Sequence, residues 1–163
     1  MKNLFYCFLF LLFTASANAQ LKTTPVCPVM VVDLLEGNVN GIEPNFSSAD
    51  IKKAFPCFSA EELEGTTAAC GGLISYKDKD IYFYTTKAYI EIREKFKGKL
   101  SLPLMGATRN SLFKVLGHPK IKDVNWDAFQ TKYGILILHY NKSSKINLIQ
   151  FSRKTTDTIN LCE

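Results

Sequence analysis

The chain has 163 residues and a formal net charge of +5. That length fits one compact domain or two small fused units. It is enough for a real core, since a chain of this size buries roughly 68–70% of its unfolded surface. The positive excess is mild and spread: Lys52 and Lys53, and the lysines of residues 94–99, sit among acidic or apolar neighbours. That excludes the dense basic stripe of a nucleic-acid binder.

Residues 1–19 read as a signal peptide. Lys2 gives a positive start, residues 4–13 form an apolar run too short to span a bilayer, and Ala17-Asn18-Ala19 is an A-x-A cleavage site. The mature chain is expected to begin at Gln20 and to be exported, periplasmic or extracellular, with no membrane span. Cys7 falls in the leader. The other four cysteines, Cys27, Cys57, Cys70 and Cys162, read as disulfides in an oxidising compartment. Of the three possible pairings, Cys57 with Cys70 and Cys27 with Cys162 is favoured. The first closes the loop after the first helix, and the second ties the start of the mature chain to its end. None of the four has the tight spacing of a zinc site, and only His118 and His139 could complete one. No metal and no cofactor is expected.

In chain order, residues 29–35 are rich in Val and Leu and read as a strand, stopped by Glu36-Gly37-Asn38. Ser47 is a good helix N-cap, Asp50 suits the positive helix end, and Ile51, Ala54 and Phe55 fall on one face. Pro56 ends that helix. Residues 58–69 read as a loop or short helix. Cys70-Gly71-Gly72 reads as a sharp turn. Residues 73–76 form a short strand, and residues 81–84 and 89–93 a hairpin with its tip at 85–88. The same grammar returns from Thr108: a capped helix with Leu112, Val115 and Leu116 inward, a Gly117-His118-Pro119 stop, a strand over 124–130, and a hairpin over 135–140 and 146–151. A shift of 61 residues puts Ser47 on Thr108, Ile51 on Leu112, Lys53 on Lys114, Ala54 on Val115 and Phe55 on Leu116, which argues for duplication. The expected fold class is α+β: two tandem helix-plus-β-hairpin units, residues 20–99 and 100–163, sharing an antiparallel sheet held by disulfides. Apolar side chains on both faces of Ile135-Leu136-Ile137-Leu138 suggest a central, doubly covered strand. Residues 155–161 read as a last strand or a tail.

No nucleophile elbow, His-Glu-x-x-His helix or phosphate loop occurs. Cys70 is better explained as half a disulfide than as a nucleophile, His118 as a helix-end residue, and His139 as a partly buried, hydrogen-bonded strand residue. Glu61-Glu62 and Asp78-Asp80 read as solvated faces. No catalytic residue is assigned. The aromatic residues are more informative. Tyr82 and Tyr84 share a strand face and Tyr89 follows the turn. Tyrosine offers stiff contact area with a polar handle. With Arg93 these three form the expected binding surface, exposed on one sheet face. Trp126 is expected to be buried.

The residues Thr108-Arg109-Asn110-Ser111-Leu112-Phe113-Lys114-Val115-Leu116-Gly117-His118-Pro119 with the hairpin of residues 133–151, echoed by residues 47–56 and 81–93, resemble in layout the β-lactamase inhibitor protein and its structural relatives, the small outer-membrane-assembly lipoproteins. The resemblance implies protein recognition through an aromatic sheet surface, without catalysis. The expected function is therefore an exported, non-enzymatic protein-binding module, an inhibitor or envelope-associated adaptor with a protein partner. A small periplasmic enzyme or ligand carrier is the alternative, using a pocket between the two units in which His139 meets an acidic residue. A purely structural envelope protein would show neither pocket nor aromatic patch.

Overall fold

The computed structural model describes residues 25–63, 65 and 71–162. The expected signal peptide and Cys70 lie outside these residues. Eleven strands form two sheets among the described residues. Strands β1 (Val31–Asp33), β2 (Asn38–Val39) and β7 (Lys99–Leu100) make a small sheet of order β2-β1-β7, in which β1 runs antiparallel to β2 and parallel to β7. The large sheet has eight strands: β3 (Ala60–Glu62), β4 (Leu73–Tyr76), β5 (Ile81–Tyr84), β6 (Tyr89–Arg93), β8 (Ile121–Lys122), β9 (Trp126–Gln130), β10 (Ile135–Tyr140) and β11 (Ile146–Ser152). Its order is β3-β4-β5-β6-β11-β10-β9-β8, antiparallel throughout. Two four-stranded meanders, one from each half of the chain, meet at β6 and β11.

The α+β expectation is overturned. The described chain is mostly antiparallel sheet with two short helices, Ser48–Ala54 and Phe113–Leu116. Each half supplies four strands to the large sheet instead of a hairpin. The first helix is short because Pro56 follows it so closely. Its start is as expected: Ser47 Oγ accepts from Asp50 N (3.2 Å) and donates to the Asp50 carboxylate (2.5 Å). The second is shorter still. Thr108 makes no side-chain cap, and its backbone bridges to Lys145. The chain takes a 3-10 turn over Arg109–Ser111 before one helical turn, which Gly117 ends at φ 73°. Only Leu112 of its three expected inward residues is buried; Val115 is exposed. Residues 60–62, expected in a loop or short helix, form edge strand β3. Glu61 there pairs with Lys52 of the first helix (2.8 Å). Hydrogen bonds from Lys52 and then Ser48 hold the Glu61 carboxyl below its usual pKa.

The core lies on one face of the large sheet. Ile74, Tyr76, Ile81, Phe83, Ile90, Ile92, Leu136, Leu138, Ile149 and Phe151 pack there against Met30, Val32, Leu34, Val39, Ile51 and Phe55. The small sheet and the first helix thus cover this inner face. A disulfide joins Cys27 to Cys57, which overturns the favoured pairing of Cys57 with Cys70 and Cys27 with Cys162. The first helix delivers Cys57 beside the chain's lead-in, and Cys57 N also donates to Cys27 Sγ (3.3 Å). Cys162 is disulfide-bonded as well. No helix among the described residues is long and apolar enough to cross a membrane.

Candidate functional site: a cleft on the outer sheet face

The alternation of side chains along each strand sends one set away from the core. Strand register arranges this outer set in rows. One row runs Arg93, Leu148, His139, Trp126 across β6, β11, β10 and β9. The next runs Tyr82, Glu91, Gln150, Ile137, Ala128. The third runs Tyr84, Tyr89, Ser152, Ile135, Gln130. After β11 the chain returns over this face. Ile159 and Leu161 pack on Ala128, Ile135 and Ile137, and Cys162 N donates to the Tyr89 hydroxyl (3.3 Å). Ile135 and Ile137 are therefore covered on the outer face and Leu136 and Leu138 on the inner, as expected of a doubly covered strand. Between this tail and the uncovered rows lies a cleft of ≈1140 Å³, whose lining includes Arg93, Leu148, His139, Trp126, Ile159 and Leu161.

A chain of polar groups crosses the floor where the two halves meet. Glu91 and Gln150 are each 4% exposed, and an unpaired carboxylate so placed would be costly. Here both its oxygens are occupied. Arg93 Nε donates to Glu91 Oε1 (2.6 Å) and Gln150 Nε2 donates to Glu91 Oε2 (2.9 Å). The Gln150 carbonyl then faces His139 Nε2 at 2.8 Å. Because Glu91 takes the amide's donor, the remaining amide oxygen can only accept, so His139 carries a proton on Nε2. The Arg93 guanidinium lies over the Tyr82 ring, 4.1 Å from its centroid. Burial alone would lower the Arg93 pKa, but the hydrogen bond and charge of Glu91 outweigh it and the pKa is raised.

The expected binding residues do share this face, but they do not form an open aromatic surface. Tyr82 is half-buried, and the Arg93 side chain is 45% exposed. Tyr84 and Tyr89 are buried, which corrects their expected exposure. Their rings stack at 4.3 Å, and the tail's Cys162 bonds to Tyr89. Burial, with the Glu91 charge adding to it, raises both phenol pKa values and keeps them neutral hydrogen-bonding groups. Trp126, expected to be buried, is half-buried on the cleft wall.

Sequence reasoning passed over Glu91, Gln150 and Leu148. A signal was present: Glu91 stands between Ile90 and Ile92, and Gln150 between Ile149 and Phe151. A lone polar residue in such a strand must find a partner on the other face. No family model, curated protein or solved structure matches the chain.

Proposed function

We propose that this chain is an exported, non-enzymatic binding protein, a ligand carrier whose site is the outer-face cleft at the seam between its halves. One observation carries the reading: a cleft of ≈1140 Å³ has half-apolar walls and a floor on which Arg93, Glu91, Gln150 and His139 are joined by hydrogen bonds. Ligand sites combine apolar lining with a few fixed polar groups in this way. Each floor group is already partnered, an arrangement that suits recognition better than proton transfer. The Cys27–Cys57 disulfide accords with export, to a periplasm or beyond the cell. The rival reading, a protein partner gripping the aromatic face, draws on Tyr82 and the Arg93 guanidinium stacked over it.

Trp126 is the chain's single tryptophan, so its fluorescence reports on the cleft directly. Titration with phenylnaphthylamine, a neutral apolar probe, is expected to quench Trp126 saturably. Leu148→Tyr, which fills the row between Arg93 and His139, is expected to weaken that quenching at least about tenfold. Quenching that is unsaturable, or unchanged by Leu148→Tyr, overturns the cleft as the site.

A further inference from the structure

Arg93 has more hydrogen-bond donors than its bond to Glu91 uses. Guanidinium carries five N–H donors in a rigid planar fork. Its Nε is committed to Glu91, and its plane is fixed by that bond and by the Tyr82 ring. Tyr84 lines the same cleft. The Nη edge remains, on a side chain 45% exposed that lines the cleft. A guanidinium held in one plane loses little freedom on binding, and its Nη pair matches the two oxygens of an acid. Glu91 does not compete for the site, because both its oxygens point into bonds with Arg93 and Gln150. The other acidic side chain of the lining, Glu62, sits on β3, three strands from β6. Beyond Arg93 the row continues with Leu148, His139 and Trp126. At about 4.8 Å per strand, Trp126 lies about 14 Å from Arg93.

Resting on the ligand-carrier reading, we infer that the cleft takes an amphipathic organic anion. Its acidic group, a carboxylate or sulfonate, is bonded by the Nη edge of Arg93. Its apolar body lies over Leu148 and reaches the Trp126 ring. A body of two or three linked rings, or an alkyl chain of similar reach, fits this span.

Two fluorescent probes with one shared body test this: anilinonaphthalene sulfonate and neutral phenylnaphthylamine, both read by Trp126 quenching. Arg93→Gln is expected to weaken the sulfonate about tenfold or more and the neutral probe less than about twofold. Because that change leaves Glu91 buried without its cation, Glu91→Gln/Arg93→Gln carries the same test with neither charge present. An equal loss for both probes, or no loss for the sulfonate, overturns the anion site. If neither probe quenches Trp126 in the unaltered protein, the cleft reading itself falls. If both bind and Arg93 is irrelevant, only the anion inference falls.

Discussion

Asp127 shows how much one residue can depend on a partner far away in sequence. It is 1% exposed and faces the core side of β9. Arg109 Nε donates to Asp127 Oδ2 at 2.9 Å, Arg109 Nη2 donates to Oδ1, and the Tyr140 hydroxyl donates to Oδ2 at 2.8 Å. Arg109 also donates to the carbonyls of Asp123 and Val124, so it pins the loop entering β9. Breaking a buried pair from one side costs about 3–5 kcal/mol, because the other charge is left without a partner. Arg109→Leu is therefore expected to lower unfolding stability by about that amount, and Tyr140→Phe by about 1–2 kcal/mol. The double change Arg109→Leu/Asp127→Leu should cost less than Arg109→Leu alone, since no orphaned carboxylate remains. Urea unfolding followed by Trp126 fluorescence measures all three. A double variant at least as unstable as Arg109→Leu alone would show that the orphaned carboxylate is not what the single change costs. None of this was legible in the sequence. Arg109 follows Thr108 at what reads as the start of a capped helix, and Asp127 stands in a strand where only Trp126 and Phe129 attract notice.

At the scale of elements, strands were legible where turn residues bracket them. The expected bounds for β4, β5, β6 and β10 match the structure, because Asp78-Lys79-Asp80, residues 85–88 and Lys132-Tyr133-Gly134 break the apolar runs. The first helix was legible from its Ser47 cap and Pro56 stop, which have eight residues between them; the second was not, since Thr108 makes no side-chain cap and only Phe113–Leu116 are α-helical. Nor was the β6–β11 pairing, which joins residues 89–93 to 148–152 and is set by packing, not by local pattern. The turn before β10 carries a sharper dependence. Gly134 has φ 151°, and a Cβ there would overlap the Ser152 carbonyl oxygen and the Arg153 backbone. Gly106 also has positive φ, 78°, but open space around it. Gly134→Ala therefore adds a backbone collision to strain, while Gly106→Ala adds strain alone. Strain of this kind costs about 1–3 kcal/mol. Gly134→Ala is expected to exceed Gly106→Ala in lost stability and to speed amide exchange along β10 and β11. Equal losses, with exchange unchanged along β10 and β11, would mean that the β11 backbone yields freely.

For the whole molecule, the large sheet divides the work between its faces. The inner face carries the main core, with the small sheet and first helix on it, and the outer face carries the cleft and the tail. The Cys27–Cys57 disulfide belongs wholly to the inner layer. It closes a loop of sequence separation 30, and both cysteines pack against the main core. Chain-entropy arguments assign such a loop between about 3 and 5 kcal/mol. Its pairing escaped sequence analysis because four cysteines fit three connectivities, and only the helix's placement over the sheet brings Cys57 to the lead-in. Peptide mapping without reduction should recover Cys27 linked to Cys57. Cys27→Ser/Cys57→Ser is expected to lower unfolding stability by a few kcal/mol, about the entropic figure less any denatured-state structure. The same variant, at a temperature where it remains folded, should bind phenylnaphthylamine with an unchanged dissociation constant. The core and the single layer of the large sheet stand between the removed bond and the Trp126 wall. If removing the disulfide weakens the probe as much as it weakens the fold, the two faces are coupled through the sheet, and the cleft depends on the inner layer for its shape.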